Sequence, residues 1–310
     1  MPVSQLDRIN YYNILAMIAS ACLAILIPFE LVLLSYAILG PAHYLTEISW
    51  LKDRQFFTIK KYDYLIIAVI IVVVLAFKLP YANLMFYTFG MSFLLLVLKD
   101  NLYRVLAAAI LVFAGYFLLT NNFLRTIFGL YMATLIHVYL FTGAFLLHGS
   151  LKSKSVSGYI AFSVFILCPV LLCVLFNDWH NVPSVWATNN YKPFFQLITT
   201  TLRNQSVDIY TSKASILLTR IIAFAYTYHY LNWFSKTRII NWHRISVTRA
   251  VIIGLVWAAS VALYFYNYRI GFKWLLILSL GHVILEFPLN HRSFAGIVNE
   301  LKRRLTPVSR

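Results

Sequence analysis

Charged side chains are scarce in this sequence. They make up 12% of its 310 residues, whereas a soluble globular chain carries roughly a quarter. Long polar segments are equally scarce, and the longest, residues 179–214, is too short for a soluble domain of its own. The composition therefore excludes a soluble enzyme. It predicts a single integral-membrane domain over residues 1–310, with an extracytoplasmic loop at 179–214.

Cysteines and nucleotide-binding motifs are also nearly absent. The three cysteines, Cys22, Cys168 and Cys173, all lie inside apolar runs, so a disulfide scaffold of the secreted type is not predicted. The sequence contains no P-loop, GxGxxG or CxxC motif. Phosphate-binding loops, dinucleotide folds and dithiol redox chemistry are therefore without support.

Apolar runs are what the sequence has in abundance. Hydrophobic residues make up 61% of the chain, and runs of about 20 residues, enough to cross a bilayer as a helix, recur throughout. The pattern predicts an all-α, polytopic transmembrane helix bundle with about ten spans: 11–27, 29–50, 63–79, 82–98, 102–120, 124–147, 158–178, 215–234, 247–267 and 271–290. Pro28 and Glu30 separate the first two runs, which allows either a hairpin or one long kinked helix.

Basic residues set the predicted orientation. The chain has 26 Lys and Arg against 10 Asp and Glu, for a net charge of +16. With a cytoplasmic N-terminus, most basic residues fall on the cytoplasmic side, as the positive-inside rule requires. Both termini are therefore predicted to be cytoplasmic, in a multi-pass protein of the cell (inner) membrane. Topology and contact with membrane lipids account for the charge, so no nucleic-acid partner is predicted.

Four histidines fall inside predicted spans at a common depth. His43, His137, His229 and His282 lie on spans two, six, eight and ten, at or slightly cytoplasmic of the bilayer midplane. Ionisable residues at this depth are costly and usually functional, and neutral imidazoles bind iron, zinc and copper. Taken singly, each histidine is better explained as a buried polar residue bonded to a neighbouring helix. As a set, the four favour a metal site.

Two carboxylates accompany these histidines at helical spacing. Glu47 follows His43 by four residues, and Glu286 follows His282 by four, so each pair shares one helix face. The sequence leaves open whether each glutamate is a metal ligand, a partner that orients an imidazole, or a plain buried acid. Several histidines with nearby acids suit a non-haem iron centre that activates O₂.

Aromatic residues crowd the histidine-bearing spans and make up 17% of the chain. A wall of aromatic rings beside a midplane site would suit a flat, conjugated, apolar substrate, but an ordinary membrane core explains any one of these residues better. The 179–214 loop is also rich in aromatic residues and prolines, which is consistent with a lid over the outer face of the bundle.

Four segments resemble motifs of one enzyme family. Their sequences are GPAHYLTE (40–47), IHVYLFTGA (136–144), YHYLNWFS (228–235) and GHVILEFPLNH (281–291). In order they are similar to the GLPHGALD, HFGxxD, HSRRHF and PHxxxxD segments of the Brp/Blh family of membrane β-carotene 15,15′-dioxygenases. That family uses histidine-bound iron and O₂ to split the central double bond of β-carotene into two molecules of retinal.

The resemblance implies a function by position. His43, His137 and His229 would be ligands of an Fe²⁺ cofactor, and the last-span motif places His282 at the same site. The implied activity is that of an integral-membrane non-haem iron oxygenase. It would cleave a carotenoid or similar apolar polyene, taken from the bilayer, with O₂. The product would be retinal if the substrate is β-carotene.

The chain departs from the family's motifs at three places. Trp233 stands where the third motif has its second histidine, GLPHG has become GPAHY, and the acid after the second-motif histidine is absent, with Thr142 near its place. These departures leave the identity of the substrate open. They also leave open whether His282 or a glutamate completes the metal shell in place of the missing histidine. Also open are a transporter or proton relay, haem-mediated electron transfer between histidine pairs, and a non-catalytic relative that has lost the iron site.

Overall fold

The computed structural model describes residues 4–175 and 181–305. Over this part of the chain the structure consists of helices joined by turns, with no β-strand. The prediction of an all-α fold is thus confirmed. The predicted span 158–178 and the predicted loop 179–214 each extend into residues 176–180, which lie outside the described residues.

Ten helices of at least 14 residues form the bundle in the described part of the chain. In chain order they are α1 (Gln5–Leu26), α2 (Pro28–Asp53), α3 (Asp63–Ala76), α4 (Tyr81–Val97), α5 (Asn101–Leu118), α6 (Asn122–Ser153), α7 (Val156–Leu175), α8 (Lys213–Ser235), α9 (Val247–Tyr266) and α10 (Tyr268–Leu305). Two short helices, Val185–Asn190 and Phe195–Thr201, lie between α7 and α8.

Seven of these helices are long and apolar enough to cross a membrane: α1, α2, α5, α6, α7, α9 and α10. The other three are α3 and α4, which are apolar but have only 14 and 17 residues, and α8, which has 23. This composition is that of a membrane protein with several spans. The count of ten spans and the cytoplasmic position of both termini stay predictions.

A hairpin joins α1 to α2. Ile27 between them is non-helical, with φ −139° and ψ 56°. Near the start of α1, Asn13 accepts a hydrogen bond from Ser235 at the end of α8 (3.0 Å). Near the end of α2, Thr46 accepts one from Trp233, also at the end of α8 (2.9 Å). The two helices therefore run in opposite directions, which excludes one long kinked helix.

Helix α8 lies at the centre of the bundle. Most of its residues are buried, and polar contacts connect it to its neighbours, such as the 2.7 Å bond between the hydroxyls of Ser35 and Thr227. Such contacts matter in a membrane, where lipid is as apolar as leucine and burial alone does not bring helices together. By contrast, only 11% of the residues in the apolar stretch of α5, and the same share in α9, are buried. These two helices therefore lie at the periphery.

Two stretches of π-helix lie close to candidate site residues. Ser35–Leu39 in α2 comes just before His43, and Ile127–Phe141 in α6 contains His137. Within the second stretch, Thr134 departs from helical geometry, with φ −119° and ψ −105°. A π-turn widens the helix and redirects the side chains that follow it, and such turns are frequent at functional sites.

The segment between α7 and α8 packs over one end of the bundle. Tyr191 and Ile198 have no exposed surface, and the Tyr191 ring meets Phe29 of α2 edge-on, with ring centroids 5.0 Å apart. Phe194 contacts Tyr36 in the same way at 5.9 Å. These buried side chains of the segment are therefore part of the core.

A buried ion pair between α3 and α5 gives a first test of the packing. Nη1 of Arg104 lies 2.7 Å from Oδ1 of Asp63, and both side chains are at most 7% exposed. The substitution Arg104→Met would leave the Asp63 carboxylate buried without its counter-charge. We expect the free energy of unfolding in detergent to fall by about 3–5 kcal/mol.

The matched control is an exposed pair of the same type. Arg249 lies 2.6 Å from Asp53, but the two side chains are 38% and 40% exposed. The substitution Arg249→Met is expected to cost less than about 1 kcal/mol. Equal losses in the free energy of unfolding for the two variants would contradict this interpretation.

Candidate metal site

The four intramembrane histidines meet at one point inside the bundle. His43 comes from α2, His137 from α6, His229 from α8 and His282 from α10. One ring nitrogen of each lies within 4.8 Å of those of the other three, and no side chain is more than 8% exposed. This buried group could hold a metal ion.

The four imidazole rings form a closed cycle. Ring centroids are 4.8 Å apart for His43 and His229, and 4.9 Å for His229 and His137. They are 4.9 Å apart for His137 and His282, and 5.2 Å for His282 and His43. Two pairs of Nε2 atoms come within 3.1 Å of each other, one between His43 and His229 and one between His137 and His282. The rings thus direct nitrogen atoms toward a common centre.

The shortest nitrogen spacings are close to those in the coordination shell of a single ion. Imidazole nitrogens bind zinc at roughly 2.0–2.1 Å, which in tetrahedral geometry places ligand atoms about 3.3–3.4 Å apart. Two Nε2 to Nε2 distances are 3.1 Å, and the four nitrogens as a set lie within 4.8 Å of one another. Imidazole nitrogen with nearby carboxylate oxygen suits iron, zinc and copper alike, so the donor set fits a metal without selecting one.

The Thr142 hydroxyl fixes the orientation of one imidazole. Its oxygen lies 2.8 Å from Nδ1 of His229 and 2.9 Å from the carbonyl oxygen of Val138. Because the hydroxyl has one hydrogen, which it donates to the carbonyl, its oxygen accepts a hydrogen bond from Nδ1–H. The lone pair of His229 is then on Nε2, which faces the other histidines. This is the outer-shell support that metal-binding histidines usually have.

The two glutamates lie beside the imidazoles. Oε2 of Glu47 is 3.1 Å from Nε2 of His43, four residues before it on the same helix. Oε2 of Glu286 is 3.2 Å from Nδ1 of His137, which belongs to a different helix from Glu286. The two carboxyl groups also interact directly with each other. The glutamates therefore link two histidines from separate helices through one buried carboxyl pair.

Several atoms of this cluster are buried without a well-directed hydrogen bond among the described residues: Nδ1 of His43, His137 and His282, and Oε2 of Glu47 and Glu286. The two Oε2 atoms nevertheless lie 3.1 and 3.2 Å from imidazole nitrogens. Buried polar groups are nearly always paired, and each unpaired one costs roughly 1–3 kcal/mol. A cation between the imidazoles and the carboxylates would compensate the unpaired oxygens. The cluster therefore fits a bound metal ion.

Aromatic side chains enclose the cluster. Tyr44 stacks on His282 with ring centroids 4.2 Å apart, and its hydroxyl lies 2.6 Å from that of Tyr230. Trp233 meets His43 edge-on at 5.5 Å and donates its indole N–H to Thr46. Where the family motif led us to expect a histidine, the structure thus has an indole that packs against a candidate ligand.

A cavity of about 220 Å³ lies next to the histidines. A small void borders the imidazoles and is too narrow for a water molecule. The cavity and the void share three lining residues, Ala133, Tyr226 and Ser279. Phe194 and Leu197 from the segment between α7 and α8 line the cavity as well. An apolar molecule in this cavity would therefore end beside the cluster.

The remaining histidines lie apart from this cluster. Nε2 of His291 is 3.0 Å from the carbonyl oxygen of Phe89 on α4, and the His148 ring packs against Gly296 near the end of α10. His243 lies in the turn before α9, and His180 lies outside the described residues. The sequence pointed to the four clustered histidines and to the two glutamates. It did not assign a function to Tyr44 or Tyr230, for which the abundance of aromatic residues was the only signal, or to Ser279, for which the sequence offered none.

Comparison of this chain with protein families, curated proteins and solved structures gives no match.

The Thr142 hydroxyl gives a test of the metal site that does not depend on activity. The substitution Thr142→Val keeps the shape of the side chain but removes the acceptor for Nδ1–H of His229. We expect metal affinity, measured by titration against a competing chelator, to fall by about 10–100-fold.

Thr88→Val is the matched control. The Thr88 hydroxyl is also buried and donates to a backbone carbonyl of its own helix, that of Leu84 (2.6 Å), but it has no hydrogen bond to a histidine of the described ranges. Its metal affinity is expected to equal that of the wild type. If Thr142→Val binds metal as tightly as Thr88→Val, the assigned tautomer of His229 is wrong.

Proposed function

We propose that the protein is an integral-membrane non-haem iron oxygenase that cleaves a carotenoid or similar apolar polyene with O₂. The observation that carries this proposal is the enclosed cluster of four imidazoles and two carboxylates. We further propose ten membrane spans with both termini in the cytoplasm, in the cell (inner) membrane, and a distant relationship to the Brp/Blh family. With β-carotene as substrate the product would be retinal.

The residues of the cluster have distinct proposed roles. His43, His137, His229 and His282 would hold Fe²⁺, while Glu47 and Glu286 would orient imidazoles or complete the shell. The chemistry that ferrous iron supplies at such a site is activation of O₂.

The protein's own side chains would bind the substrate and exclude water. A polyene that enters from the bilayer meets the cavity of about 220 Å³, whose far end is bordered by Ala133, Tyr226 and Ser279. This volume is below the roughly 300–1,000 Å³ of pockets that enclose a whole drug-sized ligand. The cavity would therefore receive part of a long molecule, with one of its double bonds beside the cluster.

A proton relay is the second candidate function. It is favoured by the unbroken series of close contacts from His43 through Glu47 and Glu286 to His137, since chains of buried histidines and acids carry protons in membrane pumps.

Haem-mediated electron transfer has no such support. The four rings contact one another, so a porphyrin has no space between them.

Expression in cells that make β-carotene tests the proposal. We expect wild-type protein to bleach the orange colour under aerobic growth, with retinal appearing in the extract. His137→Ala should leave the colour unchanged, because it removes a proposed ligand. His291→Ala is the matched control and should bleach, since His291 bonds to Phe89 outside the cluster. Retained β-carotene in cells with stable wild-type protein would contradict β-carotene as substrate, and bleaching without O₂ would contradict an oxygenase.

A further inference from the structure

A second cavity opens at the end of the bundle where α1 begins and α8 ends. It has a volume of about 460 Å³. Residues from α1, from the last turns of α6, and from the turn after α8 line it. It shares no lining residue with the cavity beside the histidines. A molecule bound there would therefore not occupy the site proposed above.

Two lysines give this cavity a positive charge. Lys152 lies in the last turn of α6, and Lys236 follows the last residue of α8. Neither ammonium has an ion-pair partner among the described residues. Burial lowers the pKa of Lys236 to about 8, because the neighbouring groups replace water without supplying an opposite charge. An anion in the cavity would supply an opposite charge to Lys236, and the exposed Lys152 would add to the attraction.

The rest of the wall is largely apolar. Ile9 and Leu146 are buried there, and Leu6 and Phe145 extend the same surface. An inorganic phosphate would leave this surface without a contact. A molecule with an anionic head and a hydrocarbon chain would cover both the lysines and the apolar wall, and the inner leaflet of a membrane contains such lipids.

We propose that this cavity is a binding site for an anionic phospholipid, with the phosphate between Lys152 and Lys236 and an acyl chain along Phe145 and Leu146. The site would anchor the start of α1 to the ends of α6 and α8. The lipid would thus bridge helices that carry His137 and His229.

A glycine in the wall allows the cavity to be filled without disturbing the bundle. A side chain added at Gly149 would meet no atom within 4 Å, and Gly149 lines the cavity. Gly149→Leu therefore occupies the space of the acyl chain, and leucine favours the helix over glycine. Gly254→Leu is the matched control, because Gly254 is helical and equally open but lies on α9, away from the cavity.

Native mass spectrometry of the purified full chain, with dioleoylphosphatidylglycerol or dioleoylphosphatidylcholine added, tests the proposal. We expect wild type and Gly254→Leu to retain the anionic phosphatidylglycerol with roughly tenfold preference over the zwitterionic phosphatidylcholine. Gly149→Leu, and the double variant Lys152→Gln with Lys236→Gln, should lose that preference. Equal retention by Gly149→Leu and wild type would overturn the site. Displacement of the lipid by millimolar inorganic phosphate would overturn the lipid as its occupant.

Discussion

Six ionisable side chains buried at one point of an apolar bundle impose the constraint on which the rest of this structure depends. Four imidazoles and two carboxylates lie within a few ångströms of one another, all at most 8% exposed. In a membrane interior such groups are expensive unless something compensates them. A cation held by the imidazole nitrogens and faced by the carboxylates would do so. Metal binding and stability are therefore expected to be coupled, because an empty site leaves the unpaired atoms in place.

Four different helices each contribute one histidine to the cluster. α8 occupies the centre and carries His229, while α2, α6 and α10 each bring one histidine against it. The peripheral helices α5 and α9 contribute none and face outward. Around the cluster, Tyr44 stacks on His282 and Trp233 meets His43 edge-on, and the apolar cavity lies beside the imidazoles. This arrangement keeps water away from the cluster and places an apolar cavity next to it.

Features that depend on position along a helix could be predicted from the sequence, and features that depend on rotation or packing could not. Hydrophobic runs located the helices, and a fixed rise per residue put the four histidines at one depth. Their convergence required the rotation of each helix, which neighbouring helices set. The π-helical stretch around His137 and the approach of Glu286 to that histidine from another helix arise only in the assembled bundle. Thr142 was noticed as a departure from a motif, but its bond to His229 needed the structure.

The metal content of the purified protein tests the central claim most directly. Wild type and His291→Ala, purified side by side with His137→Ala and shown by circular dichroism to be folded, would be analysed by inductively coupled plasma mass spectrometry. The account predicts about one iron per chain in wild type and His291→Ala, and almost none in His137→Ala. Folded wild-type protein that binds no metal, or the same metal content in all three proteins, would contradict it.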